Sequence, residues 1–196
     1  ENWVEIQKIL SEDLSADQRF GKKVVFHNQF LFVAAVETED VYVYTFNETT
    51  NQFDYLQTLD GPSGFGNGIS AEDNRLVIGA NRHSINNGSQ NITQVGSVTT
   101  YLWNESTQEW EFEQFILHNN PNNNDWFGNS TSIHNEVIYA GSPYNDTDAD
   151  YLNDENFAGA AILLELDTNL SSVIPEKNEA ISFYPNPASN YVNITS

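Results

Sequence analysis

The chain has 196 residues, 39% of them hydrophobic and 13% aromatic, enough for a packed core, which excludes an unfolded low-complexity polymer. Seven Lys and Arg stand against 28 Asp and Glu, a formal charge of −21. A phosphate backbone or an anionic membrane surface would be repelled, so nucleic acid is not an expected partner, whereas converging carboxylates favour cations such as calcium. The chain contains no Cys, hence no disulfide framework, and no Met, so residue 1 reads as the start of a processed or excised segment. No run approaches the roughly 20 apolar residues of a transmembrane helix.

In chain order, the first predicted element is a strand over Trp3 to Leu10, in which an aromatic is followed four residues later by Gln (Trp3, Gln7). Phe20-Gly21 opens a strand that turns at His27-Asn28-Gln29 into the hydrophobic run Leu31-Phe32-Val33, closed by Ala34-Ala35. A Tyr-rich strand (Val41 to Tyr44), the turn Phe46 to Thr50 and a strand with Phe53 and Gln57 complete the unit. The next unit runs from Phe65-Gly66 through the turn Glu72-Asp73-Asn74, the run Leu76 to Ile78, the pair Gly79-Ala80, a variable loop over 81–95 and the run Val98 to Trp103, to Trp110 and Gln114. A long connection carrying Trp126 leads to Phe127-Gly128, the turn His134-Asn135-Glu136, the run Val137 to Tyr139, Gly141-Ser142, a second variable loop over 143–158 and a strand ending near Glu165-Leu166.

In all three copies the small-residue pair begins 14 positions after the Phe, and the copies are 45 and 62 residues apart. Strands rich in Val, Ile, Tyr, Phe and Thr, punctuated by Asn, Asp and Gly, with no helical period, predict an all-β chain. A four-stranded antiparallel unit repeated at this spacing is the mark of β-propeller blades. Phe20, Phe65 and Phe127 are expected to be buried equivalently, with Gly21, Gly66 and Gly128 allowing close backbone approach. The first segment is a fourth strand without a sheet, and the last unit lacks its own fourth strand. Three blades cannot close a ring that typically has four to eight, so the chain is expected to be part of a larger propeller, with blades missing on the N-terminal side or, alternatively, assembly with another chain.

The Phe-Gly dipeptide, the strand ending in Gly-Ala or a relative, the Tyr-rich strand and the aromatic with Gln resemble the FG-GAP repeat of integrin-type and bacterial surface β-propellers. The resemblance covers 1–169; only Pro143 keeps the third letter of Gly-Ala-Pro, where Val36 and Asn81 replace it. After a polar linker over 170–180, Phe183-Tyr184-Pro185-Asn186-Pro187-Ala188 resembles the opening of the sorting domain of the Bacteroidetes type IX secretion system, covering 181–196. The resemblance implies export by that machinery to the outer cell surface or the medium. It points to an adhesion or binding module for an extracellular protein or glycan, not an enzyme. The alternative is a non-catalytic accessory module of a larger secreted hydrolase.

The best candidate for chemistry is Asp146-Thr147-Asp148-Ala149-Asp150-Tyr151-Leu152-Asn153-Asp154. Asp146, Asp148, Asp150 and Asp154 fall at positions 1, 3, 5 and 9 of a loop, a spacing that suits a hard cation such as calcium. Tyr151 stands where integrin-type calcium loops have Gly, and the competing description is a solvated acidic loop. His27 and His134 share a repeat position with Glu72 and read as turn residues; His83 and His118 have no ligand spacing around them. There is no Gly-x-Ser-x-Gly elbow and no assignable carboxylate pair for glycoside hydrolysis. Trp3 and Trp110 are expected in blade packing, and Trp126 is the freest aromatic.

Overall fold

The computed structural model describes residues 2–11, 17–88, 90–146 and 158–165, and every regular element among them is a strand. The first sheet is β1 (Phe20–His27), β2 (Phe30–Ala35), β3 (Asp40–Asn47) and β4 (Gln52–Asp60), antiparallel in sequence order. The second is built from β5 (Phe65–Glu72), β6 (Arg75–Ala80), β9 (Ser97–Asn104) and β10 (Glu109–Ile116). Between β6 and β9 the chain inserts a short hairpin, β7 (Ile85–Asn86) with β8 (Asn91–Ile92), inside what the sequence presents as a plain loop. The third sheet has three strands among the described residues, β11 (Ser130–His134), β12 (Val137–Ser142) and β13 (Ala160–Glu165). The chain is all-β, and its sheets follow the blade pattern.

Local chemistry fixes the hairpins. The first two strands of each blade are joined by two residues, and Asn28, Asp73 and Asn135 take φ of 53°, 50° and 49°, a region that Asn and Asp tolerate best after Gly. At the outer turns, Asn47 Oδ1 accepts from the Thr49 and Thr50 amides, as Asn104 Oδ1 does from those of Ser106 and Thr107. These side chains stand in for the missing backbone bond of the turn.

The sheets stack face to face with β1 beside β5 and β5 beside β11, so first strands are inside and fourth strands outside. Between blades 1 and 2 lies a core of Phe32, Val41, Val43, Phe65, Leu76, Ile78 and Trp110. Between blades 2 and 3 it is thinner, with Val77, Val98, Phe127, Ile133 and Ile138. The repeat motif is the contact itself. A Cβ on Gly66 of blade 2 would lie 2.7 Å from the Ala34 Cβ of blade 1, and one on Gly79 of blade 2 would strike the Gly128 carbonyl of blade 3. Phe65-Gly66 and Phe127-Gly128 thus sit on the small pair of the preceding blade, which is why both ends of the 14-residue offset are small.

Phe65 and Phe127 are fully buried, whereas Phe20 is half-buried and meets Tyr42 edge-on at 5.5 Å. The difference is one of neighbours, because blade 1 has no blade in front of it among the described residues. Residues 2–11 lie there instead. They pair with no strand, so the expected opening strand is an extended segment, with Ile9 against the Tyr42 and Tyr44 face and Ser11 buried. Trp3, expected in blade packing, is wholly exposed, while its counterpart Trp110 is buried under Phe30 and Phe32.

Candidate functional site

Antiparallel strands send the β1–β2 and β3–β4 turns to one end of each blade and the β2–β3 and blade-to-blade connections to the other. The short turns form a row. His27 Nε2 lies 3.1 Å from the Asp73 carbonyl, and His134 Nδ1 lies 2.9 Å from Glu72 Oε1. Equivalent positions on adjacent blades therefore touch at Glu72 and His134. Their role is nonetheless that of turn residues. The hydrogen bond from His134 holds the Glu72 carboxyl below its ordinary 4.5; partial burial opposes this, and the Asn135 amide and the His134 and His27 charges assist it. A cleft of about 220 Å³ beside this row, between Phe30, Asp73 and Trp103, is smaller than the roughly 300 Å³ at which ligand sites begin.

The connections 81–96 and 117–129 gather at the other end, with the described ends of a third, 143–146 and 158–159. They are stitched by their backbones: the Asn124, Trp126 and Phe127 amides donate to the Thr93, Gln94 and Val95 carbonyls at 2.9, 3.1 and 2.9 Å. Below them sits a buried polar knot. Asp125 takes His118 Nε2 at 2.9 Å and the Asn122 amide at 2.6 Å, the Asn145 amide group reaches its other oxygen at 3.4 Å, and Ser142 Oγ donates to its carbonyl at 2.7 Å. His118 and Asp125 are essentially inaccessible, and His118 Nδ1 has no partner among the described residues. Opening the knot would break these buried bonds and leave the Asp125 carboxylate unpaired, so it holds the loop bases in place.

Above it Trp126 holds a left-handed φ of 56°, a strained conformation for a bulky residue that costs roughly 1–2 kcal/mol. Its indole Nε1 donates to Gln94 Oε1 at 2.9 Å and its ring meets Tyr144 at 4.7 Å, nearly perpendicular. Trp126 is thus packed and oriented, while Tyr144 keeps 38% of its surface exposed. Arg19 and Arg82 both pair with Glu37 at this end, at 3.1 and 3.6 Å.

Of the predicted calcium ligands, Asp146 is described and half-buried beside Asn145; Asp148, Asp150 and Asp154 lie outside the described residues. The Gly159 amide donates to the Asn145 carbonyl at 3.0 Å, closing the neck of this acidic loop. Among the described residues, no three His, Asp or Glu side chains converge as metal ligands. His83 is half-buried against Phe115, and this burial pushes its imidazole down. Sequence reasoning missed the His118–Asp125 knot, because no ligand or repeat spacing links its members. Among the described residues, no helix is long and apolar enough to cross a membrane. No protein-family model and no curated protein matches the chain.

Proposed function

We propose that this chain is a non-catalytic binding or adhesion module of FG-GAP-type propeller blades, carried to the outer cell surface or the medium by type IX secretion through its C-terminal segment. The observation that supports it best is the gathering of the connections 81–96 and 117–129, with the described ends of a third, at one end of the blades. There a strained Trp126 and its partner Tyr144 adjoin the buried His118–Asp125 knot, and the Arg19–Glu37–Arg82 cluster lies at the same end. Rigid support beneath variable loops is how recognition surfaces are built. An extracellular protein or glycan is the partner class; an aromatic pair beside polar side chains suits sugar stacking or a protein hot spot.

The chain is tested on a glycan array and on immobilised extracellular-matrix proteins. The expected result is a bound probe released by Tyr144→Ala and Arg82→Ala, but not by Gln29→Ala at the turn end. No bound probe, or equal loss from Gln29→Ala, overturns the assignment. Export is tested by surface labelling of cells with and without a working type IX system, where equal labelling overturns that part.

Calcium at Asp146, Asp148, Asp150 and Asp154 belongs to the same proposal, because four carboxylates on one loop with a closed neck repel one another until a cation joins them. Calcium at a hundred times its Kd is expected to stabilise the chain by about 2.7 kcal/mol. Equal melting temperatures in calcium and in chelator, unchanged by Asp148→Asn, reduce the loop to solvated surface.

A further inference from the structure

The sequence contains two Asn-Gly pairs, Asn67-Gly68 and Asn87-Gly88. In such a pair the glycine amide nitrogen can attack Cγ of the Asn side chain. Glycine eases the attack, because no Cβ screens its nitrogen and its backbone turns through conformations closed to other residues. The reaction also needs a backbone able to turn and a side-chain carbonyl ready to take up charge. The two pairs differ in both respects.

Asn67-Gly68 lies inside β5. Gly68 is buried and in register with Gly79 of β6, and a Cβ there would come within 2.8 Å of Thr131 Cγ2 and 2.9 Å of the Gly128 carbonyl oxygen, both of blade 3. Asn67 Nδ2 donates to the Gly64 carbonyl at 2.7 Å, which turns the side chain back toward the preceding residues. Bringing the Gly68 nitrogen onto Cγ would break both the ladder and the interblade contact.

Asn87-Gly88 sits at the tip of the β7–β8 hairpin, whose strands pair Ile85 with Ile92 and Asn86 with Asn91. Both residues of the pair are exposed, and Gly88 takes φ of 84° with open space where a Cβ would be. Its amide donates to Asn86 Oδ1 at 2.8 Å, a bond between exposed groups that water can replace. Asn87 Oδ1 accepts the Gln90 amide at 3.0 Å. That donor points at the oxygen on which negative charge builds as nitrogen adds to Cγ, the arrangement that stabilises a tetrahedral intermediate.

We propose that Asn87 is a site of spontaneous covalent modification, converted through a succinimide with Gly88 into aspartate and isoaspartate. The Gly88 nitrogen gives its proton to solvent and bonds to Cγ, the Cγ–Nδ2 bond breaks, and the amide nitrogen takes a proton from solvent and leaves as ammonia. Water then cleaves one of the two carbon–nitrogen bonds of the ring. Cleavage at Cγ gives aspartate; cleavage at the backbone carbonyl carbon gives isoaspartate, with the chain rerouted through the former side chain. The sequence of steps consumes one water and needs no oxidant. Either product adds a negative charge to a chain already at −21, and the isoaspartate form lengthens the hairpin tip by one backbone atom, which disrupts the Asn87–Gln90 pairing. No ligand takes part, so the modification holds whatever the blades bind.

The whole chain is aged in mildly alkaline buffer, digested with trypsin and followed by fragment mass spectrometry. A fresh chain digested in the same way and a synthetic peptide of residues 83–93 are carried alongside. Cleavage after Arg75 and Arg82 separates the two Asn-Gly pairs. The expected result is a gain of one mass unit at Asn87, resolved into two chromatographic species and faster at higher pH, with Asn67 unchanged over the same period. Asn87→Gln, whose longer side chain would have to close a six-membered ring, should lose the gain. An unmodified Asn87 at a time when the synthetic peptide has converted overturns the assignment. Equal conversion of Asn67 and Asn87 in the folded chain, or a gain that persists at position 87 in Asn87→Gln, overturns it as well.

Discussion

The junction of blades 1 and 2 and the junction of residues 2–11 with blade 1 use the same Gln clasp, yet one is a core and the other a contact. Gln57 pairs with both the amide and the carbonyl of Trp110, and Gln7 with those of Phe53. In the first, Trp110 is buried against Phe30 and Phe32, and burial, with the Asp60 charge nearby, pushes the Tyr101 phenol up to about 12. In the second, Gln7 and Phe53 are each half-buried and only Ile9 reaches the apolar face. The comparison teaches that the repeat motif sets geometry, while stability comes from the sheet behind it.

That difference is broken most sharply at the Phe-Gly elements. Phe65→Ala is expected to cost about 3–5 kcal/mol by urea denaturation, the usual range for a buried Phe. Phe20→Ala, at the equivalent but half-covered place, should cost no more than about 1.5 kcal/mol. Equal costs would mean that blade 1 is already sealed. The following Gly residues give a smaller contrast. Gly21 and Gly66 share φ of 85° and 89°, so Ala strains both by roughly 1–2 kcal/mol. Only at Gly66 does the new methyl also meet Ala34, adding about 1–3 kcal/mol of overpacking.

Much of this was legible in the sequence because the interblade contact imposes small residues at both ends of one offset, and the hairpins need Asn or Asp at positive φ. The strand runs of all three blades follow the predicted order. What was not legible depends on neighbours rather than on local pattern. Trp3 and Trp110 have the same spacing to Gln, and only the presence of a sheet behind the second buries it. The His118–Asp125 knot is set by the path of an irregular connection, which period and propensity do not encode. The β7–β8 hairpin has two residues per strand, too short for alternation to register.

The clasps themselves yield a still smaller effect. Gln57→Ala leaves the Trp110 amide and carbonyl unpaired in a covered place and should cost about 1–3 kcal/mol, seen as faster hydrogen exchange at the Trp110 amide. Gln7→Ala exposes the Phe53 backbone to water, which replaces the lost bonds, so less than about 1 kcal/mol is expected. Similar losses at both would show that residues 2–11 are as well covered as a blade.

The smallest contrast is electrostatic and lies in the row of turns, where blade 2 meets blade 3 through a carboxylate and blade 1 meets blade 2 through a carbonyl. Glu72 is held below its ordinary 4.5 chiefly by the hydrogen bond from His134. A carboxyl depressed in the folded state stabilises fully above its unfolded value, and the contribution fades as pH falls through the lowered native one. Glu72→Gln is therefore expected to melt below the wild type near neutral pH, with the gap closing at pH values below about 4.5. A Glu72→Gln gap that persists in acid would assign the turn contact to shape and neutral hydrogen bonding, and blades 2 and 3 would then meet as blades 1 and 2 do.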